Sequence, residues 1–386
     1  MTRFGSRTDF PREPSALARA LQAREAAGLP LLDLSASNPT RLALPLPAAD
    51  VLAGEASLRY APEPLGLPEA RAALARYLGG GVDPAHLVLG ASSSEACGWI
   101  FKLLCEPGDE VLVPAPGYPL FEHLGRLEGV QVRSYRLPLA HGFHLDVGEL
   151  ARALTPRTRA VVVVSPGNPT GHFLQEGELA QLSALCSARG LALVCDEVFL
   201  PSAWDQASAR VGSLAGRALP MLTLCLGGLS KLAGLPGLKL GWTHVGGPAA
   251  LRDEALARLE WVADSLLSVN APVQQALPAL LAHAPVFQAA VLARVGENLR
   301  ALRAARPAHA AWDVLPAEGG WSAVLRIPRE PGDEATALAL LAAGVLVQPG
   351  QLYDFAPGGA YLVLSLLALP ADFRAALPVL QDVLGR

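Results

Sequence analysis

The chain has 386 residues, 51% of them hydrophobic, and a formal net charge of −4. That length predicts a large domain with a smaller companion rather than one small core. The nearly balanced charge excludes the basic stripe of a nucleic-acid binder and the polybasic segment of a membrane-surface protein.

The start, MTRFGSRTDFPREP, is polar and does not read as a signal peptide. The apolar run near 335–347 is too short to span a bilayer. Five scattered cysteines (Cys97, Cys105, Cys186, Cys195 and Cys225) contain no CxxC pair. They predict free thiols in a reducing cytoplasm and no metal cluster.

Residues 15–27 have helical spacing of Leu and Ala, and 31–35 is a short strand that Asn38-Pro39 turns out of. After the Pro62–Gly66 loop, 67–78 is helical. Apolar strands are then expected at 87–90, 110–114, 130–135, 160–165, 191–196, 221–226 and 240–245. Helical stretches such as 93–104 and 176–189 separate several of them. Continuous apolar strands alternating with helices predict an α/β fold whose mostly parallel sheet is covered on both faces. Ligands of such sheets bind beyond the carboxyl ends of the strands. A long helix over 286–306 leads to a strand-rich tail at 321–327, 345–348 and 360–366. We expect a large domain over 46–285 and a small α+β domain built from 1–45 with 286–386.

Five motifs fall at carboxyl ends of these strands. Gly90-Ala91-Ser92-Ser93-Ser94-Glu95 opens a helix, where small residues, hydroxyls and the helix dipole suit a phosphate. An ordinary serine cap explains it equally well. Tyr118, between Gly117 and Pro119, can stack on a planar ring or simply pack on the surface. Asn168 stands in Ser165-Pro166-Gly167-Asn168-Pro169-Thr170-Gly171, a turn that fixes its amide. Asp196 ends an apolar strand, where a carboxylate is costly unless it is paired or caps a turn. Ser230-Lys231 follows the apolar run 221–226 among glycines. Partial burial there lowers the amine pKa and leaves a nucleophile for a carbonyl.

In this order the motifs stop being independent. The chain resembles the class I/II aminotransferases, the fold-type-I pyridoxal phosphate enzymes of the aspartate aminotransferase kind. The resemblance rests on Asn38-Pro39, Tyr60 with Gly66-Leu67 and Ala70-Arg71, the run from Pro107 to Val111, Asn168 to Gly171, Asp196-Glu197 and Ser230-Lys231. It implies pyridoxal 5′-phosphate held as a Schiff base on Lys231, which also shuttles the substrate proton. It implies Asp196 on the pyridine nitrogen, Asn168 on the phenolic oxygen and Tyr118 over the ring. Ser93, Ser94, Ser230 and Lys239 would hold the phosphate. Tyr60 would reach the site of the neighbouring subunit, which makes a homodimer. The partners implied are an amino donor and a 2-oxo acid acceptor.

Four positions depart from the family pattern. Phe199 stands where a tyrosine usually donates to the cofactor. Lys239 replaces an arginine and loses its bidentate fork. Ser37 replaces a glycine beside the substrate. Val363 occupies the place of the arginine that binds the substrate α-carboxylate, which leaves Arg41 as the candidate replacement. Aminotransferase chemistry is therefore the first expectation. A lyase or decarboxylase on the same scaffold is the second, and a catalytically weak cofactor-binding module the third.

Overall fold

The computed structural model describes residues 6–8, 13–47, 62–204 and 210–385. Strands form where the apolar runs predict them. They are β1 (Leu32–Asp33), β2 (Leu87–Gly90), β3 (Glu110–Ala115), β4 (Gln131–Arg136), β5 (Thr158–Val164), β6 (Ala192–Asp196), β7 (Thr223–Gly228) and β8 (Gly241–Gly246). All but β1 form one sheet in the order β2-β8-β7-β6-β5-β3-β4. Five neighbours, β7 to β4, run parallel, and β8 is antiparallel to both β7 and β2.

Both faces of the sheet are covered. Val161, Val163, Leu193 and Cys195 enter one core, together with Leu74 of helix Pro68–Leu78 and Leu182 of helix Glu176–Arg189. The alternate residues Ala160, Val162, Ala192 and Val194 enter the opposite core, with Ile100 of helix Ser93–Leu104 and Leu259 of helix Ala249–Asp264. Burial on both sides is why these strands read as continuous apolar runs. The edge strand β4 exposes Gln131, Arg133 and Arg136, and charges there discourage pairing with another chain.

Because β8 runs against its neighbours, its start lies at the same sheet edge as the carboxyl ends of the other six strands. That geometry gathers the loops after β2, β3, β5, β6 and β7 and the loop before β8 on one side. Each loop carries one of the motifs singled out from the sequence.

The long helix differs from expectation. It runs from Ala271 to Ala305 and contains Pro278 and Pro285, although a proline removes a backbone donor and usually marks a boundary. Packing along its length outweighs that cost. Leu277, Leu280 and Leu281 belong to the core beneath the large sheet, whereas Phe287, Val291 and Val295 belong to a second core. By length and composition alone this helix could cross a bilayer. Here many of its apolar side chains fill these two cores, while Val286 is exposed.

The second core is built on β9 (Asp313–Val314), β10 (Ser322–Ile327), β11 (Val345–Leu346), β12 (Gln348–Pro349) and β13 (Ala360–Ser365). Four of them form an antiparallel sheet in the order β12-β13-β10-β9, and β11 pairs in parallel with β1. Trp312, Leu325, Leu362 and Phe373 fill its interior. Asn298, fully buried on the long helix, donates to the carbonyls of Leu366 and Ala368 at 2.9 and 2.8 Å and ties the end of β13 to the helix.

Candidate active site

A cleft of about 430 Å³ lies where the gathered loops meet β10, β12 and β13. On the β2 side, Ser92 caps helix Ser93–Leu104: its hydroxyl accepts the Glu95 N–H at 3.1 Å. Ser93 and Ser94 line the cleft at the positive end of that helix. Glu95 does not line the cleft; its carboxylate accepts from the Ala91 N–H at 2.6 Å and the Ser268 hydroxyl at 2.7 Å. Gly241, at the start of β8, makes this arrangement possible. A Cβ there would lie 2.7 Å from the Ser92 carbonyl carbon and 2.8 Å from the Ser93 nitrogen.

Ser230 and Lys231 sit on the one-turn helix Leu229–Leu232 directly after β7. The Lys231 ammonium lies 5.1 Å from the Trp321 ring centre and 5.5 Å from that of Phe199. These two rings meet edge to face at 5.2 Å. Burial lowers the Lys231 pKa, and the charge of Asp196 partly opposes it. Lys239, exposed and in the left-handed region at φ 54°, lines the same cleft just before β8.

Asp196 ends β6 inside the fold, where burial pushes its carboxyl up to about 6. The Val198 N–H donates to it at 3.1 Å, and Lys231 lowers it electrostatically, yet neither offsets the burial. Its neighbour Glu197 points elsewhere. Glu197 accepts from the Ser213 hydroxyl at 2.6 Å and the Leu214 N–H at 2.7 Å, and burial pushes it up to about 7. It ties the 213–214 segment to the end of β6.

Asn168 and Tyr118 complete the walls, with Tyr118 half-exposed. The Asn168 loop is held against the loop before β10. Glu318 donates its N–H to the Gly171 carbonyl at 3.0 Å, and a Cβ on Gly171 would lie 2.4 Å from the Gly319 oxygen. Trp321 follows that loop and donates its indole N–H to Ser202 at 2.8 Å.

Ser93, Ser94, Tyr118, Asn168, Asp196, Ser230, Lys231 and Lys239 therefore all line one cleft. Residues that the sequence did not point to join them, chiefly Trp321, Gln348, Tyr353 and Ser365. The Gly319-Gly320 pair before Trp321 is the sequence signal for a close approach there. Nothing local marks Gln348 or Tyr353, whose place depends on how β12 is paired.

The family model of the class I and II aminotransferases matches residues 30–366. The chain belongs to the class I and II aminotransferases. It is similar to the aspartate/prephenate aminotransferase of Thermus thermophilus, 32% identical over 345 residues, 85% of this chain and 84% of that protein. It is also similar to the alanine aminotransferase of Mycobacterium tuberculosis, 32% identical over 199 residues, 52% of this chain and 46% of that protein. The match thus spans about half the length of such relatives. Among solved structures, a single mutant of Thermus thermophilus aspartate aminotransferase superposes with a TM-score of 0.83 at 26% identity, covering all of both chains. The α/β architecture is that of the fold-type-I aminotransferases.

Against this family's pattern, three positions remain. Tyr60 lies outside the described residues. Arg41 is exposed and does not line the cleft. It sits on the short turn Pro39–Arg41, which Asn38 caps through the Thr40 N–H at 3.1 Å. Pro39 and Leu42 are the buried anchors of that turn, so Arg41 is left outside. Val363 is 1% exposed in β13, between Gln348 of β12 and Val324 of β10.

Proposed function

We propose that this protein is a pyridoxal phosphate-dependent aminotransferase working through Lys231. The observation that carries the reading is the meeting of two partly buried groups in one cleft: a carboxyl, Asp196, and an amine, Lys231, of lowered pKa. When bound, pyridoxal phosphate supplies an aldehyde for that amine and an electron-withdrawing ring that stabilises negative charge on the substrate carbon.

The residues present fit such a group. Among the described residues Asp196 has one backbone donor and no cation in hydrogen-bond contact, so a protonated ring nitrogen would relieve its burial. Ser93, Ser94, Ser230 and Lys239 offer hydroxyls, helix N–H groups and a charge to a phosphate. The approach that Gly241 permits is what such a cradle needs. Asn168 would donate its amide to the cofactor, and Tyr118 would offer a face to its ring. Lys231 is the group that would take the proton from the substrate carbon and return it. Trp321 and Phe199 shield it from water while it does so.

The transfer runs from an amino donor to a carbonyl acceptor, which the family implies is a 2-oxo acid. A homodimer belongs to the same proposal, supported by the exposed Trp261, Leu266 and Leu267 near the cleft-bearing sheet. A cytoplasmic location is supported by five free thiols. A lyase or decarboxylase is the second reading, favoured by the buried Val363 where a substrate-binding arginine would stand.

Borohydride reduction of the loaded protein followed by peptide mapping tests the first reading. We expect the label on Lys231 alone and none in Lys231→Ala. An amino donor should then convert the bound cofactor to its pyridoxamine form. Turnover without that conversion would favour the lyase, and a label on Lys239 would overturn the assignment.

A further inference from the structure

Among the described residues, the charged side chains that line the cleft are Lys231, Lys239 and Asp196. Pyridoxal phosphate, in the proposed aminotransferase, takes all three. Among the described residues no cation is then left in the cleft for a substrate carboxylate. Arg326, Arg294 and Arg136 do not line the cleft and have partners of their own. Arg326 pairs with Asp313 at 2.5 Å, and Arg294 donates to the carbonyls of Leu42 and Leu367 at 3.0 and 3.2 Å. Arg136 is held by the Asp354 carbonyl at 2.6 Å.

What faces the cleft instead is a neutral polar pair. Gln348, directly across from Val363 in the β12–β13 register, accepts a hydrogen bond from the Tyr353 hydroxyl through its side-chain oxygen. The oxygen of Gln348 is therefore engaged, and its amide offers N–H donors, while the tyrosine oxygen keeps lone pairs. Both residues line the cleft together with Ser365, two places along β13 from Val363. A carboxylate brought here would lose water and gain only neutral donors beside an apolar strand. An amide or hydroxyl would find both a donor and an acceptor.

We propose that the amino donor carries an uncharged polar group, not a carboxylate, on the carbon that bears its amine, and that Gln348 with Tyr353 recognises that group; this rests on the aminotransferase reading of the same cleft. In the reaction the donor carbon loses its amino group and hydrogen and becomes a carbonyl carbon. The acceptor's carbonyl carbon gains both; its oxygen leaves as water, and a water supplies the donor's new carbonyl oxygen, so the exchange balances with no outside oxidant. The acceptor enters the same cleft, so the proposal replaces the 2-oxo acid that the family implies by a carbonyl compound without a neighbouring carboxylate.

The test uses the holoenzyme with L-alanine, L-alaninamide and L-alaninol, and with the matching phenylalanine set. Each set differs only in the group on the amine-bearing carbon. Conversion of the visible band to the pyridoxamine form reports the half-reaction. The band shift caused by 2-aminoisobutyrate and its amide, which have no proton to lose, reports binding alone. We expect half-saturation by the amide at about 100-fold lower concentration than by the acid, the scale of an unpaired buried charge. Gln348→Arg should tighten the acid at least about tenfold and weaken the amide. Acids that bind as tightly as their amides would overturn the proposal while leaving the transaminase reading intact, and so would a Gln348→Arg variant that changes neither. If no amine of either set yields the pyridoxamine form, the transaminase reading falls and the proposal falls with it.

Discussion

Replacing Asp196 by Asn keeps the shape of the side chain and its bond from the Val198 N–H, and removes only the charge. In the folded protein without cofactor this carboxyl is raised from 3.8 to about 6. The folded state therefore holds the proton more tightly than the unfolded chain. The penalty is absent below pH 3.8, grows as pH rises, and is complete above pH 6. Its full size is about 3 kcal/mol, at 1.36 kcal/mol for each tenfold change in proton affinity. Cofactor-free Asp196→Asn should thus be more stable than wild type by about that amount at pH 8. Near pH 4 the two should nearly coincide. Urea unfolding followed by tryptophan fluorescence at both pH values measures the difference. With pyridoxal phosphate bound the order should reverse, because the variant loses a buried charge-assisted hydrogen bond worth about 1.5–3 kcal/mol. A variant no more stable than wild type at pH 8, or an advantage that persists undiminished at pH 4, would refute the claim that burial governs this carboxyl.

Three further outcomes are expected. Gly241→Ala pushes a methyl against the Ser92–Ser93 backbone and should weaken cofactor binding about tenfold or more, with a stability loss of about 1–3 kcal/mol; equilibrium dialysis and thermal melts together check it. Phe199→Tyr adds a phenol beside Lys231, so the pH midpoint of the holoenzyme's visible band should fall, by about one unit if the new hydrogen bond is worth about 1.4 kcal/mol; a spectrophotometric titration reads it, and an unmoved midpoint counts against the contact. Leu280→Ala opens a cavity at a fully buried position of the long helix and should cost about 2–5 kcal/mol. A loss well under about 1 kcal/mol in denaturant unfolding would mean that this half of the helix is not held by its core.

Local chemistry made much of the fold and site readable. The run Val161 to Val163 suits a strand buried on both faces, and Ser92 to Glu95 suits the opening of a helix. Asp196, Asn168 and Lys231 each follow an apolar strand, and the parallel sheet rule then places them on one edge. Three things were decided only by the tertiary structure. The helix Ala271–Ala305 continues through Pro278 and Pro285 because two separate cores hold its two halves, and packing of that kind has no local signature. Arg41 stands outside the cleft because Pro39 and Leu42 are the buried anchors of its turn. Gln348 and Tyr353 reach the cleft because β12 pairs with β13 in the register that sets Gln348 beside Val363. Sequence determines which side chains are available and which elements they favour. Strand pairing and the packing of distant segments decide which of those side chains face the same cleft, because neither depends on the residues next to them in the chain.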